Sequence, residues 1–443
     1  MRIHFAPLLI AAFLGTASAQ AQLFYPETAT LDNGLRVVVL PNHRAPVITQ
    51  MVWIKAGGTS DPWGVSGVAH FLEHLLFKGT KTRTDGEYSK IISRMGGTEN
   101  AMTSHDYTAY YASFGAQNLE TVMALEADRF ANWQVTDAQL AVERDVILKE
   151  RQQTTDNKPI ARFWESVSAK LYPNHLYQRP VIGWRAEMEK LDHKAANDFY
   201  RTYYNPRNAV LVLSGDITLA KALPLAKKYF GPIAGHELPL RHDTDIPPLD
   251  GAQHLQMASP LVKEVVWAQH YLVPPARPGT IAQSDALLIL SKILGDGRTG
   301  RLYRRLVIKD KIANSADISF DPIAVGPVRW SILVTPEPKA DLKRIEGIVH
   351  EEITRLLKDG VTDKEVKNAT QGLEIETTYA RDSVTGPAMI VGEALVSGLD
   401  LATVENWPQR MRNVTKDAVM LAAKELLSQQ PRLTAVLLPE AEK

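Results

Sequence analysis

The sequence predicts an α+β protein built from two similar halves joined by a linker. Three observations carry this. Short β-branched runs alternate with longer stretches of helical apolar spacing, the pattern of sheets covered by helices. Residues 231–255 lose all periodicity and carry Pro232, Pro239, Pro247 and Pro248 among Gly and charged residues, which reads as a linker. The second half then repeats landmarks of the first. Val135-Thr136-Asp137 and Val361-Thr362-Asp363 each open a long helical pattern, and each Thr stands three residues before Gln139 or Glu365, the capping-box spacing.

Taken in order, the chain opens on Arg2 and His4, an apolar run from Phe5 to Leu14, and the small residues Ala17-Ser18-Ala19. Residues 1–19 therefore read as a secretory signal peptide whose apolar core is too short to span a bilayer. A buried N-terminal helix is the alternative, and a second A-x-A at Ala19-Gln20-Ala21 offers another cut. The first half follows, over 23–232. Leu35 to Leu40 and Val47 to Lys55 have strand character, and both runs end at Pro or Gly. Helical spacing covers 66–78, 85–95, 116–132, 137–155 and 194–204. A strand at Ala209 to Ser214 and an amphipathic helix from Leu219 to Phe230 close the half. The linker occupies 233–255 and the second half 256–443, which again ends on a helix leading into a strand, Leu433 to Leu438. A duplicated α+β unit explains these echoes.

Composition sets outer limits. With 443 residues, 45% hydrophobic and 23% charged, the chain is too long for one core. Fifty Lys and Arg balance 50 Asp and Glu with no long run of either sign. That pattern offers no nucleic-acid footprint and no polybasic membrane patch. Cysteine is absent, so disulfides, thiolate metal sites and a lipid-modified N-terminal Cys are excluded. No apolar stretch of about twenty residues follows the leader. The mature chain is expected to be soluble, without stable membrane insertion, and periplasmic if its source is a Gram-negative bacterium.

The chemistry concentrates in Val65-Ser66-Gly67-Val68-Ala69-His70-Phe71-Leu72-Glu73-His74-Leu75-Leu76-Phe77. The apolar period is helical, and Ser66 is the expected N-cap. On a helix, residues four apart stack on one face, so His70 and His74 can aim at one metal ion while Glu73 reaches the same space. Zinc takes such nitrogen ligands with a carboxylate and keeps a position for water. A carboxylate beside that water can take its proton during attack on a carbonyl. The alternative, a surface His pair, fits poorly in an otherwise apolar helix. The order H-x-x-E-H is that of inverzincins.

Gly67 to Thr80, read with this motif, resembles the signature of the pitrilysin, or M16, peptidases, which include mitochondrial processing peptidase and insulin-degrading enzyme. The likeness extends through Gly96-Gly97-Thr98-Glu99-Asn100-Ala101-Met102-Thr103-Ser104, Tyr107 to Tyr110, Glu143 to Glu150, Arg179 to Gly183, Tyr204 to Asn208 and Gly215-Asp216. It covers essentially the mature chain. The resemblance implies two α/β-roll domains, each a sheet with helices packed on one face. It implies one zinc ion per chain, with His70, His74 and Glu150 as ligands and Glu73 as general base. Without the resemblance, Glu150 would read as a solvated surface acid. Glu143, seven residues before it and on the same helix face, becomes a partner for a ligating histidine. Gly97, Thr98, Asn100 and Ala101 match the edge strand onto which an extended peptide adds, and a plain hairpin strand is the alternative.

One departure stands out. Complete members of the family carry an Arg and a Tyr in the second half that contact substrate. Aligned on Arg301-Leu302-Tyr303 and Leu306, those positions here are Val307 and Asn314, and the second half has no H-x-x-E-H. Losing such a donor costs about 10²–10³ in rate. The expectation is therefore a secreted zinc endopeptidase acting on peptides or unfolded segments in a hetero-oligomer, whose homologous M16-like partner supplies the Arg/Tyr pair. Arg304 or Tyr303 as substitutes is one alternative. A non-catalytic peptide-binding or structural subunit is another. His105, beside the strand motif, either lines the site or lies at the surface.

Overall fold

The computed structural model describes residues 23–239, 246–247 and 251–440. The leader read at 1–19 and part of the linker read at 233–255 lie outside the described residues.

Two mixed sheets organise the chain. The first comprises β1 (Glu27–Thr30), β2 (Arg36–Pro41), β3 (Val47–Ile54), β4 (Thr98–Thr103), β5 (Thr108–Gly115) and β6 (Ala209–Gly215), in the order β1-β2-β6-β3-β5-β4. The second comprises β7 (Gln253–Ser259), β8 (Val266–Val273), β9 (Ala313–Phe320), β10 (Val328–Pro336) and β11 (Leu433–Pro439), in the order β7-β11-β8-β10-β9. In each sheet one parallel pair, β2 with β6 or β7 with β11, continues into antiparallel pairs. The second order thus repeats β2-β6-β3-β5-β4 strand for strand, so the duplication extends to topology. β7 begins at Gln253, inside the stretch expected to be linker.

The helices of the first half include α1 (Val68–Leu75), α2 (Glu87–Arg94), α3 (Leu119–Asn132), α4 (Asp137–Arg151) and α5 (Pro159–Leu171), followed by a short helix at Arg185–Met188 and the two expected near its end, at His193–Tyr203 and Leu219–Tyr229. Both expected capping boxes form: Thr136 with Gln139 starts α4, and Thr362 with Glu365 starts the helix Asp363–Asp382. The helix expected over 137–155 leaves α geometry at Arg151 and runs through a π-turn at Gln152–Asp156. α5 is a helix that the apolar spacing did not announce.

The two halves cover one another. Along β2, Val37 and Val39 pack into the helix layer of their own half, while Val38 and Leu40 pack with Ala388, Val391 and Ala394. Those three residues belong to the helix Gly386–Val396, which comes from the second half. Reciprocally, Phe163, Val167 and Leu171 of α5 pack on Leu433, Ala435 and Leu437 of β11. Both faces of each sheet are therefore buried, one by its own helices and one by a helix lent across. This is why β2 reads as an unbroken apolar run and not as an alternating one.

α1 begins differently from expectation. Ser66 is not its N-cap: its hydroxyl accepts the Trp184 N–H at 2.9 Å. The N-cap is Gly67, at φ +88°. Asp61 takes over the capping, accepting the N–H groups of Gly67 at 2.6 Å and Ala69 at 3.0 Å. A Cβ on Gly67 would lie 2.4 Å from the Ile182 carbonyl oxygen. Gly67→Ala combines that clash with a left-handed backbone, and is expected to cost about 2 kcal/mol or more. Thermal unfolding checks this, and an unchanged melting temperature would count against the reading of the turn.

Candidate active site

α1 is apolar almost all round: Val68, Ala69, Phe71, Leu72 and Leu75 are buried. His70 and His74 form the stripe left partly open, and their rings meet edge to face at 4.7 Å. α4 packs alongside, and its period brings Glu143 and Glu150 to the same stripe. Glu150 Oε2 lies 3.4 Å from His74 Nε2 and 3.8 Å from His70 Nε2. Ligand atoms of His70, His74 and Glu150 all lie within 4.8 Å of one another.

This donor set fits zinc. At bond lengths of about 2.0–2.2 Å, tetrahedral geometry separates ligand atoms by about 3.3–3.6 Å, close to the spacing seen. Protonation favours the fit at His70, because burial, with His74 adding to it, pushes its imidazolium down to about 3. A neutral ring keeps an Nε2 lone pair for a cation. At His74, burial works the same way but is outweighed by its hydrogen bond to Glu143 and by the nearby carboxylates, and its pKa rises.

Glu143 is buried, and one oxygen lies 2.8 Å from His74 Nδ1 while the other takes Lys78 Nζ at 2.8 Å. These bonds overcome burial and hold its carboxyl below the usual range. The arrangement fixes the His74 tautomer, with the proton on Nδ1 and Nε2 facing Glu150. Glu143→Gln is expected to weaken zinc affinity about 10–100-fold while leaving the fold intact. Competition with a chromophoric chelator measures this, and undiminished affinity would remove Glu143 from the role.

Glu73 is buried beside the pair and accepts a hydrogen bond from Thr103 Oγ1 at 2.5 Å. Burial raises its pKa, with Glu150 adding to the rise and Thr103 and His74 opposing it. Thr103 belongs to β4, the last strand of the first sheet, which pairs with β5 and with no other strand among the described residues. The open edge is the one expected to hold an extended peptide. Within it the four residues differ. Gly97 already spends its N–H on Ile92, and a Cβ there would meet Ser113 O at 2.9 Å, so it serves close packing. Thr98 begins the strand. Asn100 Oδ1 accepts the Ala101 N–H at 2.9 Å, marking that N–H as one facing the open edge.

Val307 and Asn314 lie elsewhere. Val307 packs against the core of the second half, and Asn314 is exposed on β9. Of the substitute candidates, Arg304 is exposed, makes no ion pair among the described residues and shares a hollow of the second half with Arg301, Arg305 and Glu365, and Tyr303 precedes it in the chain. His105 is turned away, with Nε2 3.1 Å from the Arg179 carbonyl and its ring on Tyr177.

Sequence reasoning passed over Thr103, Lys78 and Asp61. Thr103 carried a signal, since it sits two residues beyond Ala101 and shares its face of the strand. Lys78, four residues after His74, carried another. It also passed over Arg129, a buried guanidinium bonded to Glu126 at 2.6 Å and ringed by Phe77, Tyr88 and Tyr110 at 4.3–4.6 Å. Only packing reveals that cluster.

Comparisons with known proteins agree on one family. Residues 36–184 match the profile described as Insulinase (Peptidase family M16), and residues 190–373 match Peptidase M16 inactive domain. The chain is similar to zinc protease PqqE of Helicobacter pylori, with 33% identity over 306 residues covering 68% of each chain. It is similar to the uncharacterized zinc protease ML0855 of Mycobacterium leprae, with 28% identity over 94% of this chain and 92% of that one. A crystal structure of a protease from Helicobacter pylori superposes with a TM-score of 0.87 and 27% identity, over 94% of this chain and all of that one. With both halves matched and the metal-type cluster lying inside the first, this chain belongs to peptidase family M16.

Proposed function

We propose that the chain is an exported zinc-dependent endopeptidase that cleaves peptides or unfolded segments. The observation that carries the reading is the convergence of His70, His74 and Glu150 beside Glu73, next to the open edge of β4. Zinc relatives by name support the choice of metal, and the single His-His-Glu group among the described residues supports one ion per chain. Bound zinc would supply Lewis acidity and a water of lowered pKa.

The residues divide the rest of the work. His70 Nε2, His74 Nε2 and Glu150 Oε2 would hold the ion, with Glu143 orienting His74. β4 lines up an extended peptide by backbone pairing at Ala101, which reads shape more than side chains. Glu73 takes a proton from the attacking water and passes it toward the leaving amine, while Thr103 holds the carboxylate in line.

The partner reading rests on Val307 and Asn314. Val307 has no donor for developing negative charge, Asn314 lacks a phenolic hydroxyl and is exposed on β9, and Arg301 and Arg305 are held in ion pairs with Glu365 and with Asp310, Glu351 and Glu352. A homologous subunit with an Arg and a Tyr would complete the site. The residues of the leader support export, and no helix among the described residues is long and apolar enough to cross a membrane.

The test is peptide hydrolysis by the purified mature chain with zinc quantified in the same sample. Cleavage that is stopped by a chelator and restored by zinc supports the peptidase. Full cleavage by the homogeneous chain refutes the need for a partner. A zinc-loaded but inert chain that stays inert with every homologous subunit of its source points to the non-catalytic subunit instead.

A further inference from the structure

The second half reaches the catalytic strand through the tip of one hairpin. β4 and β5 are joined by Ser104-His105-Asp106-Tyr107, closed by a bond from Ser104 N–H to the Tyr107 carbonyl at 2.8 Å. On its own side the tip lies on Gly57 and Gly58. Gly58 N–H donates to Ser104 O at 3.0 Å, and a Cβ on Gly57 would lie 2.2 Å from that same oxygen.

On the other side the tip is gripped from across the molecule. Tyr107 Oη donates to Glu393 Oε1 at 2.9 Å. Glu393 projects from the helix Gly386–Val396, whose Gly392 sits flush on Trp53: a Cβ there would meet the indole at 2.1 Å. The Trp53 and Tyr107 rings meet edge to face at 5.0 Å. The Asp106 carboxylate accepts the Val325 N–H at 3.0 Å and the Tyr177 hydroxyl, and that hydroxyl oxygen accepts the Gly326 N–H at 2.8 Å. Val325 and Gly326 lie in the turn between β9 and β10, the counterpart in the second sheet of the β4–β5 turn. The two hairpin tips are thus tied to each other.

Thr103, which holds Glu73, stands directly across from Thr108, the residue after Tyr107. A rotation of the tip would therefore move both the peptide-pairing edge and the hydrogen bond that orients the base. We propose that Glu393, acting through Tyr107, is a positioning residue for the substrate strand. The half described as inactive in its family then has a task in this chain: it sets the angle of β4 from behind. This inference rests on the reading of β4 as the substrate strand.

The experiment uses the zinc-loaded full mature chain in the Glu73→Gln background, so that a fluorescein-labelled unstructured peptide binds without being cut. Peptide affinity is read by anisotropy, amide exchange over residues 98–103 by mass spectrometry, and zinc by direct assay. Glu393→Ala is expected to weaken the peptide about tenfold and to speed exchange in β4, with zinc content unchanged. Glu393→Gln keeps an oxygen acceptor for Tyr107 and is expected to restore both. If Glu393→Ala does not fold, Tyr107→Phe removes the same bond and keeps the ring. Peptide affinity and β4 exchange indifferent to both substitutions would overturn the proposal alone. Zinc binding without any peptide binding in the parent would overturn the substrate-strand reading as well.

Discussion

Glu73→Gln is expected to lower peptide hydrolysis by about 10²–10⁴-fold while zinc stays bound at about one ion per chain. The amide keeps the shape of the side chain and can still accept from Thr103 Oγ1, so β4 and α1 should stay in place. What it loses is the capacity to take a proton. Since Glu73 is outside the His70, His74 and Glu150 cluster, the metal donors are untouched. The pairing of lost rate with retained metal is the signature, measured by steady-state hydrolysis and metal content on one sample. Loss of zinc in parallel with rate would instead make Glu73 a ligand, and an unaltered rate would remove it from the chemistry.

Glu150→Ala is expected to weaken zinc binding by more than about 100-fold and to abolish hydrolysis with it. Outer partners of metal ligands are typically worth 10–100-fold, and removing a ligand exceeds that. Only two imidazoles would remain, too few for a closed zinc site. Asp145 is the control. It lies on the same helix but is exposed, and Asp145→Asn should leave both zinc and rate as they are. Equal losses in the two variants would mean that α4 had been disturbed as a helix and would sink the ligand assignment. The expected order of effect, Glu150→Ala, then Glu143→Gln, then Asp145→Asn, follows the distance of these three acids of α4 from the proposed metal position.

Much of the first half was legible because its signals are local. His70, Glu73 and His74 lie within one and a half turns of helix, so spacing alone places them together. The Thr136 and Thr362 boxes are written in four residues each and formed as read. Local signals also misled. Ser66 has the right chemistry and the right place for an N-cap, but Trp184 claims its hydroxyl and Asp61 caps the helix from further back. α5 was missed because its apolar face packs on β11 of the other half, a contact with no trace in neighbouring residues. Glu150 needed the family likeness, since an acid on a distant helix looks like any other.

By itself, then, the sequence determined the two-half α+β plan, the helix that carries H-x-x-E-H, and the starts of the paired long helices. Each depends on hydrogen bonds and apolar periods that close within a few residues. The tertiary structure decided the rest. It brought Glu150 and Glu143 of α4 beside His74, set Thr103 against Glu73, exchanged helices between the sheets, and tied the β4 hairpin to Glu393. Those contacts join residues far apart in the chain. They exist only once the sheets have stacked their helices, because burial is what makes a particular partner for each polar group obligatory.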